Sequence, residues 1–230
     1  MSDRDKLTSL ASLFLNIIDR HAAPEASDWL RAKAELVSKE DKALQLNMAF
    51  SQIPRLVGRQ ALIILDAERE QLGLLLPGLD IEDWSLDQLA RVWLLMQLRD
   101  GDKEAYLRKV DGLFNGAEMY ELAALYAALP VLSYPEWWIP RCTEGIRSNI
   151  GIVLEAIMYA NPYPSTYLDE AAWNQLVLKA FFTDKDVTKI TGIRERVNVA
   201  LSDTLKDYMR EREAAHRDIN PEIPKLIINN

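Results

Sequence analysis

A single cysteine, Cys142, and two histidines, His21 and His216, are all the thiol and imidazole chemistry this chain holds. One cysteine excludes an intrachain disulfide framework and fits a reducing compartment. Neither histidine lies in a cluster with metal-ligand spacing. No Ser-His-Asp or Cys-His arrangement can be assembled, and no glycine-rich phosphate loop is present. No apolar run reaches the roughly 20 residues needed to cross a bilayer as a helix. The opening MSDRDKLTSLASLF lacks the basic segment and long apolar stretch of a signal peptide. Positive charge is in deficit, with 27 Lys+Arg against 35 Asp+Glu and a formal net charge of -8. Such a balance gives no overall attraction to nucleic acid or anionic lipid. The expectation is a cytoplasmic protein that does not span the membrane, with no metal, no cofactor and no nucleic-acid partner.

What is abundant is helical pattern. Apolar residues are 49% of the 230, enough for a substantial core. They recur at three- and four-residue spacing, as in Leu7, Leu10, Phe14 and Ile18, and again in Leu86, Leu89, Ala90 and Trp93. Pro24 suits a first helical turn. Ser85, Ser165 and Asp169 are candidate N-caps. Ala61–Leu65 fits either a short buried strand or a helical turn. With no other convincing strand in the chain, the helix is preferred. The expected fold is all-α: antiparallel helical hairpins stacked as a short irregular alpha-solenoid or a large helical bundle. One helical domain is expected over 1–219, with N-terminal helices in 1–80 and the remainder in 84–219. Residues 220–230, with two prolines, are expected to form an extended tail.

The stretch from Pro135 to Phe182 departs from a generic helical pattern. It holds three of the six tryptophans, the cysteine and several polar residues within apolar sequence. Taken as one helix, Arg141–Tyr159 places Glu144, Arg147, Ser148, Gly151 and Glu155 on one face. Gly151 there would admit a close neighbour. Asn161-Pro162-Tyr163-Pro164 should be an ordered turn that holds Tyr163 extended between two proline rings. A helix returning from it would bring Asn174 beside Glu144 and Arg147, in one concave polar site. Glu155 joins the candidate set through this spacing.

Two strings in this stretch, R-x-x-E-G-x-R-x-N from Arg141 and N-P-Y-P…W-N-Q-x-V-L-K-A from Asn161, are long and unusual. With them, residues 128–182 resemble the EboA family, and a weaker likeness continues through ITGIRERVNVALSDTLKDYMRERE. The last helix departs from it, carrying Glu213-Ala214-Ala215 where an aromatic residue followed by alanines is expected. The resemblance implies a role in traffic or processing of secondary metabolites or their precursors. It implies protein partners from one bacterial gene cluster, among them a membrane-bound prenyltransferase-like protein, and so a place peripheral to the inner membrane. The matching positions imply a functional set of Arg141, Glu144, Arg147, Asn149, Asn161, Tyr163, Trp173, Asn174, Gln175 and Lys179. Three readings stand at this point. One is a non-enzymatic adaptor with a polar pocket near 141–179 that takes a small-molecule metabolite. Another is an enzyme using Glu144 or Glu155 as acid or base with Arg147 holding an anionic substrate. The last is a scaffold whose polar residues only fix packing.

Overall fold

The structure, a computed structural model, describes residues 2–228. It is all-α, and among the described residues only isolated β-bridges occur outside the helices. Four helices lead into the core: α1 Asp3–His21, α2 Pro24–Lys39, α3 Leu44–Leu56 and α4 Asp66–Leu75. Then come α5 Leu86–Leu95, α6 Lys103–Gly116 and α7 Met119–Ala127. The C-terminal part holds α8 Ile139–Ile146, α9 Gly151–Met158, α10 Pro162–Tyr167, α11 Glu170–Phe182 and α12 Val199–Ala214. Every residue of α5 except Gln88 is buried. This helix packs on α1, α2, α3 and α7, and α7 packs in turn on α9. A solenoid repeat touches mainly its neighbours in sequence, whereas here elements remote in sequence share one apolar core. The arrangement is the large bundle.

Local chemistry sets the boundaries. Ser2 caps α1, its hydroxyl accepting the Asp5 N–H while the Asp5 carboxylate accepts the Ser2 N–H. Asp102, Asp169 and Asn198 cap α6, α11 and α12 through side-chain oxygens. Ser85 precedes α5 but makes no side-chain cap; its hydroxyl donates to Asp87 instead. Residues 61–65 are not helical. Leu62 is buried between exposed Ala61 and Ile63, a period of two. The segment lies extended against 84–86, with Leu62 N–H donating to Trp84 O and Leu86 N–H to Gln60 O. His21 holds the same segment from α1, its Nε2 accepting the Ile63 N–H at 2.8 Å.

The single helix expected over 141–159 is two. It stops after Ile146 and restarts at Gly151. Ser148 Oγ accepts the Ile150 N–H, and Ile150 is extended (φ -85°, ψ 110°). A serine side chain has competed for a backbone donor and ended the helix. Gly151 therefore opens α9 instead of sitting mid-helix. The close approach falls at Gly145, where a Cβ would meet Ile157 at 2.5 Å and Tyr126 at 2.6 Å. The NPYP segment is ordered, but as a cap and first turn: Asn161 is the N-cap and Pro162 opens α10. Tyr163 is thus helical and 1% exposed rather than held out in an extended segment. After Asn220 the chain forms a turn over Ile223–Leu226 that buries both of these residues and packs on α12. Asn229 and Asn230, at the end of the expected tail, lie outside the described residues.

Candidate functional site

A cleft of about 820 Å³ opens between three remote segments: the 78–88 loop, one side of α9 with the following Tyr159-Ala160, and the 188–191 turn. The start of α7 closes one side with Tyr120 and Ala123. Backbone bonds tie the walls together. Asp80 N–H donates to Ala160 O at 3.1 Å, and Ala160 N–H donates to Lys189 O at 2.8 Å. The Thr191 hydroxyl donates to Gly78 O at 2.8 Å. Gly78 adopts φ 86°, and Ala160, which has a Cβ, adopts φ 46°. An L-residue pays for that left-handed conformation in local strain.

The lining is strongly acidic. Asp80, Glu82, Asp83, Asp87 and Glu155 face the cleft, against one lining cation, Lys189. Lys189 pairs with Asp83 at 2.7 Å across the walls, and this hydrogen bond raises its pKa. Glu82 pairs with Arg69 and Glu155 with Lys185. Among the described residues Asp80 accepts only a backbone N–H, from Glu82. Behind Asp87 sits Arg91, 2% exposed. Its Nη1 donates to Asp87 at 2.7 Å and its Nε to Phe50 O at 3.1 Å; Glu121 lies at 3.8 Å. Burial lowers the Arg91 pKa, while Asp87 and Glu121 act against that shift. Among the described residues no group of three or more His, Cys, Asp or Glu is placed to hold a metal ion.

Of the residues singled out from sequence, only Glu155 lines this cleft. Arg141 is held by Asp111, Asn115 and Glu144. Arg147 is exposed and has no ion pair among the described residues, and Gln175 is exposed as well. Lys179 donates to Asn149 at 2.9 Å. Asn174 and Asn198 exchange hydrogen bonds of 3.2 and 2.8 Å, the latter capping α12. Among the described residues no side-chain hydrogen bond or ion pair joins Glu144, Arg147 and Asn174: Glu144 pairs with Arg141 and Asn174 with Asn198. Trp173 is fully buried with the Arg196 guanidinium 4.8 Å over its ring, and its indole N–H has no hydrogen-bond partner among the described residues.

Asn161 and Tyr163 are buried too. The Tyr163 hydroxyl donates to Pro135 O at 2.6 Å, and burial raises its pKa. The Asn161 amide donates to Tyr126 O at 3.1 Å and Ala156 O at 2.9 Å, while its oxygen accepts the Tyr163 N–H at 3.0 Å. Both carbonyls lack their helical partner four residues on. Pro130 has no N–H to offer Tyr126, and the Ala160 N–H goes to Lys189 instead of Ala156. One side chain thus joins the ends of α7 and α9 and starts α10.

The 78–88 wall was not singled out by sequence reasoning. Its signal was the run Asp80-Ile81-Glu82-Asp83-Trp84-Ser85-Leu86-Asp87, four carboxylates in eight residues. The opposite wall, Thr188–Thr191, carries no comparable mark. With this geometry in view, the family model that matches is the one described as metabolite traffic protein EboA, over residues 10–228. The match takes in the N-terminal helices, which lie outside the 128–182 stretch that carries the sequence resemblance. Comparisons with curated proteins and with solved structures give no match.

Proposed function

Because the chain belongs to the EboA family of metabolite traffic proteins, we propose that it is a non-enzymatic carrier or adaptor that holds a small polar metabolite in this cleft. The observation that carries the reading is the cleft itself. Its volume, about 820 Å³, falls within the 300–1,000 Å³ usual for small-molecule sites. The state of its carboxylates favours holding over proton transfer. Four of the five lining carboxylates, Asp83, Asp87, Glu82 and Glu155, are each paired with a cation, and only Asp80 has none among the described residues. A general base needs a carboxylate free to reach the proton it removes. Glu155 is the contact that the earlier candidate set and the cleft share. No described helix is long and apolar enough to cross a membrane. In this reading a membrane-bound partner of the same pathway meets the protein at its surface.

The test is to fill the cleft. Ala156 lines it and is half-buried. Ala156→Trp should abolish complementation in cells lacking the protein and remove any small molecule seen by native mass spectrometry of the purified protein. The urea midpoint should stay within about 0.5 M of wild type, since a partly open position tolerates added volume better than a packed core. Full complementation by a folded Ala156→Trp protein refutes the reading.

A further inference from the structure

Both ring nitrogens of the half-buried His21 are in use, and in opposite senses. Nε2 faces the Ile63 N–H at 2.8 Å, so it is the bare, accepting nitrogen. The ring proton therefore sits on Nδ1, which donates to Ile17 O at 2.7 Å. Two backbone groups thus fix the tautomer. A second proton on this ring has only Nε2 to go to. Two donors would then face each other, and the Ile63 bond would be lost. The Ile17 bond needs no change, and a charged ring suits the C-terminal end of α1. Protonation unfastens Ile63 and leaves the helix as it is.

The charged neighbours do not duplicate this role. Arg20 of α1 donates to Ile63 O at 2.7 Å and pairs with Glu68 of α4 at 2.6 Å. Glu68 also accepts the Leu65 N–H. Glu25, in the first turn of α2, and Arg59, just ahead of the segment, are exposed. Among the described residues no carboxylate bonds the His21 ring.

What the ring fastens is continuous with the cleft. The Gln60 amide donates to His21 O at 2.9 Å, which ties the same segment to α1 a second time. On its other edge the segment is stitched to the cleft wall. Leu86 N–H donates to Gln60 O at 2.9 Å and Leu62 N–H to Trp84 O at 3.3 Å. Trp84, Ser85 and Asp87 line the cleft. Residues 60–63 therefore tether that wall to the end of α1.

We propose that His21 is a pH-operated latch on the cleft wall. With the ring neutral, 60–63 is fastened to α1 and holds 84–86 in place. As pH falls through the range in which a histidine takes up its proton, about 5 to 8, the Ile63 bond is lost and the wall loosens. The latch stands on the geometry of the ring. That it governs the release of a ligand rests on the cleft as the binding site.

The test is amide-resolved NMR of the full-length protein from pH 7.5 to 5.5, with hydrogen exchange corrected for its intrinsic pH dependence. At pH 7.5 the imidazole nitrogens of His21 should show the proton on Nδ1. Protection of the Ile63 N–H should fall at least tenfold by pH 5.5, and that of Leu62 and Leu86 at least threefold. His21→Gln keeps an oxygen acceptor but takes up no proton, and should abolish these losses. His216→Gln removes the other histidine, which is exposed, and should leave them unchanged. A proton on Nε2 at pH 7.5, Ile63 protection that does not fall, or an equal fall in His21→Gln overturns the latch. So does a fall at Ile63 that leaves Leu62 and Leu86 unmoved, since the wall is then not coupled to the ring. The wild-type readouts decide even where His21→Gln fails to fold. None of them needs a ligand, so the two readings fail separately. If they fail while Ala156→Trp abolishes complementation, the latch falls and the cleft stands. If they hold while Ala156→Trp is silent, the cleft falls as the binding site and the coupling of ring to wall stands.

Discussion

Replacing Asn161 by alanine removes three hydrogen bonds from a position that is 3% exposed. The capping bond to Tyr163 N–H is worth about 1 kcal/mol, the usual loss when an asparagine N-cap becomes alanine. The other two bonds serve carbonyls of Tyr126 and Ala156 that have no N–H four residues ahead to turn to. A buried acceptor left unmade costs about 1–3 kcal/mol. Taking the lower half of that range for each carbonyl, the total is about 3–5 kcal/mol. That is a large share of the roughly 5–15 kcal/mol that holds a typical domain folded. With an m-value near 3 kcal/mol/M in urea, the midpoint should fall by about 1–1.7 M. Far-ultraviolet circular dichroism against urea reads this directly. Asn161→Asp is the informative companion. It keeps the capping oxygen but points a carboxylate, without a donor, at two carbonyls, so it should lose at least as much. An alanine variant within about 1 kcal/mol of wild type, or an aspartate variant as stable as wild type, would refute the structural role. Either result would return Asn161 to the list of residues free to meet a ligand.

Gly145→Ala should cost about 1–3 kcal/mol by overpacking, since its Cβ would lie 2.5 Å from Ile157 and 2.6 Å from Tyr126. Gly151→Ala, which meets only the tip of Lys185 at 3.4 Å, should be neutral or slightly stabilising. Equal urea midpoints for the two variants would show that the α8 approach is misread. Burial pushes the Cys142 thiol up to about 12 from 9.0. Below about pH 9 both folded and unfolded chains hold this proton, so its stabilising contribution is fully present. Above pH 9 only the unfolded chain releases it, and stability is lost at up to about 1.4 kcal/mol per pH unit until the folded thiol ionises near 12. The tyrosines Tyr106 and Tyr126, raised by burial from 10.0 to about 12, add their own losses at higher pH. Unfolding free energy measured from pH 8.5 to 10.5 should therefore fall more steeply for wild type than for Cys142→Ala. Parallel slopes would contradict the burial of the thiol.

Helix existence was legible because period and caps agree. Pro24 opens α2, Asp169 caps α11, and of the α1 stripe Leu10, Phe14 and Ile18 are buried while Leu7 at its start is exposed. The breaks were harder, because they depend on which side chain takes a backbone donor. Periodicity runs through Ser148 without a mark, yet its hydroxyl claims the Ile150 N–H and splits the helix. The extended 61–65 segment escaped for a related reason. A short apolar run has no intrinsic period, and the segment it bridges, 84–86, lies on the far side of α4. Within the central stretch, Asn161, Tyr163 and Trp173 stood out as polar or aromatic residues in apolar sequence. That signal is the same for a ligand contact and for a buried packing bond, and all three are buried. The cleft was largely illegible because its walls are more than a hundred residues apart, as with Gly78 and Thr191, and only packing brings them together.

That separation bears on how the cleft keeps its shape. Ala160 stands between the two walls, giving its N–H to Lys189 and taking one from Asp80. It does so at φ 46° without being a glycine. An alanine in the left-handed region costs about 1–2 kcal/mol, and such strain persists only where the surroundings over-determine it. Here the surroundings are two backbone bonds and the next residue, Asn161, fixed by three more. The amide that starts α10 thus also fixes the peptide at the back of the cleft. A loss at Asn161 should spread to the site through Ala160, although Asn161 does not line it. Asparagine in the NPYP string and the carboxylates of the 78–88 loop belong to one construction: the first holds the wall in place, and the second gives the wall its charge.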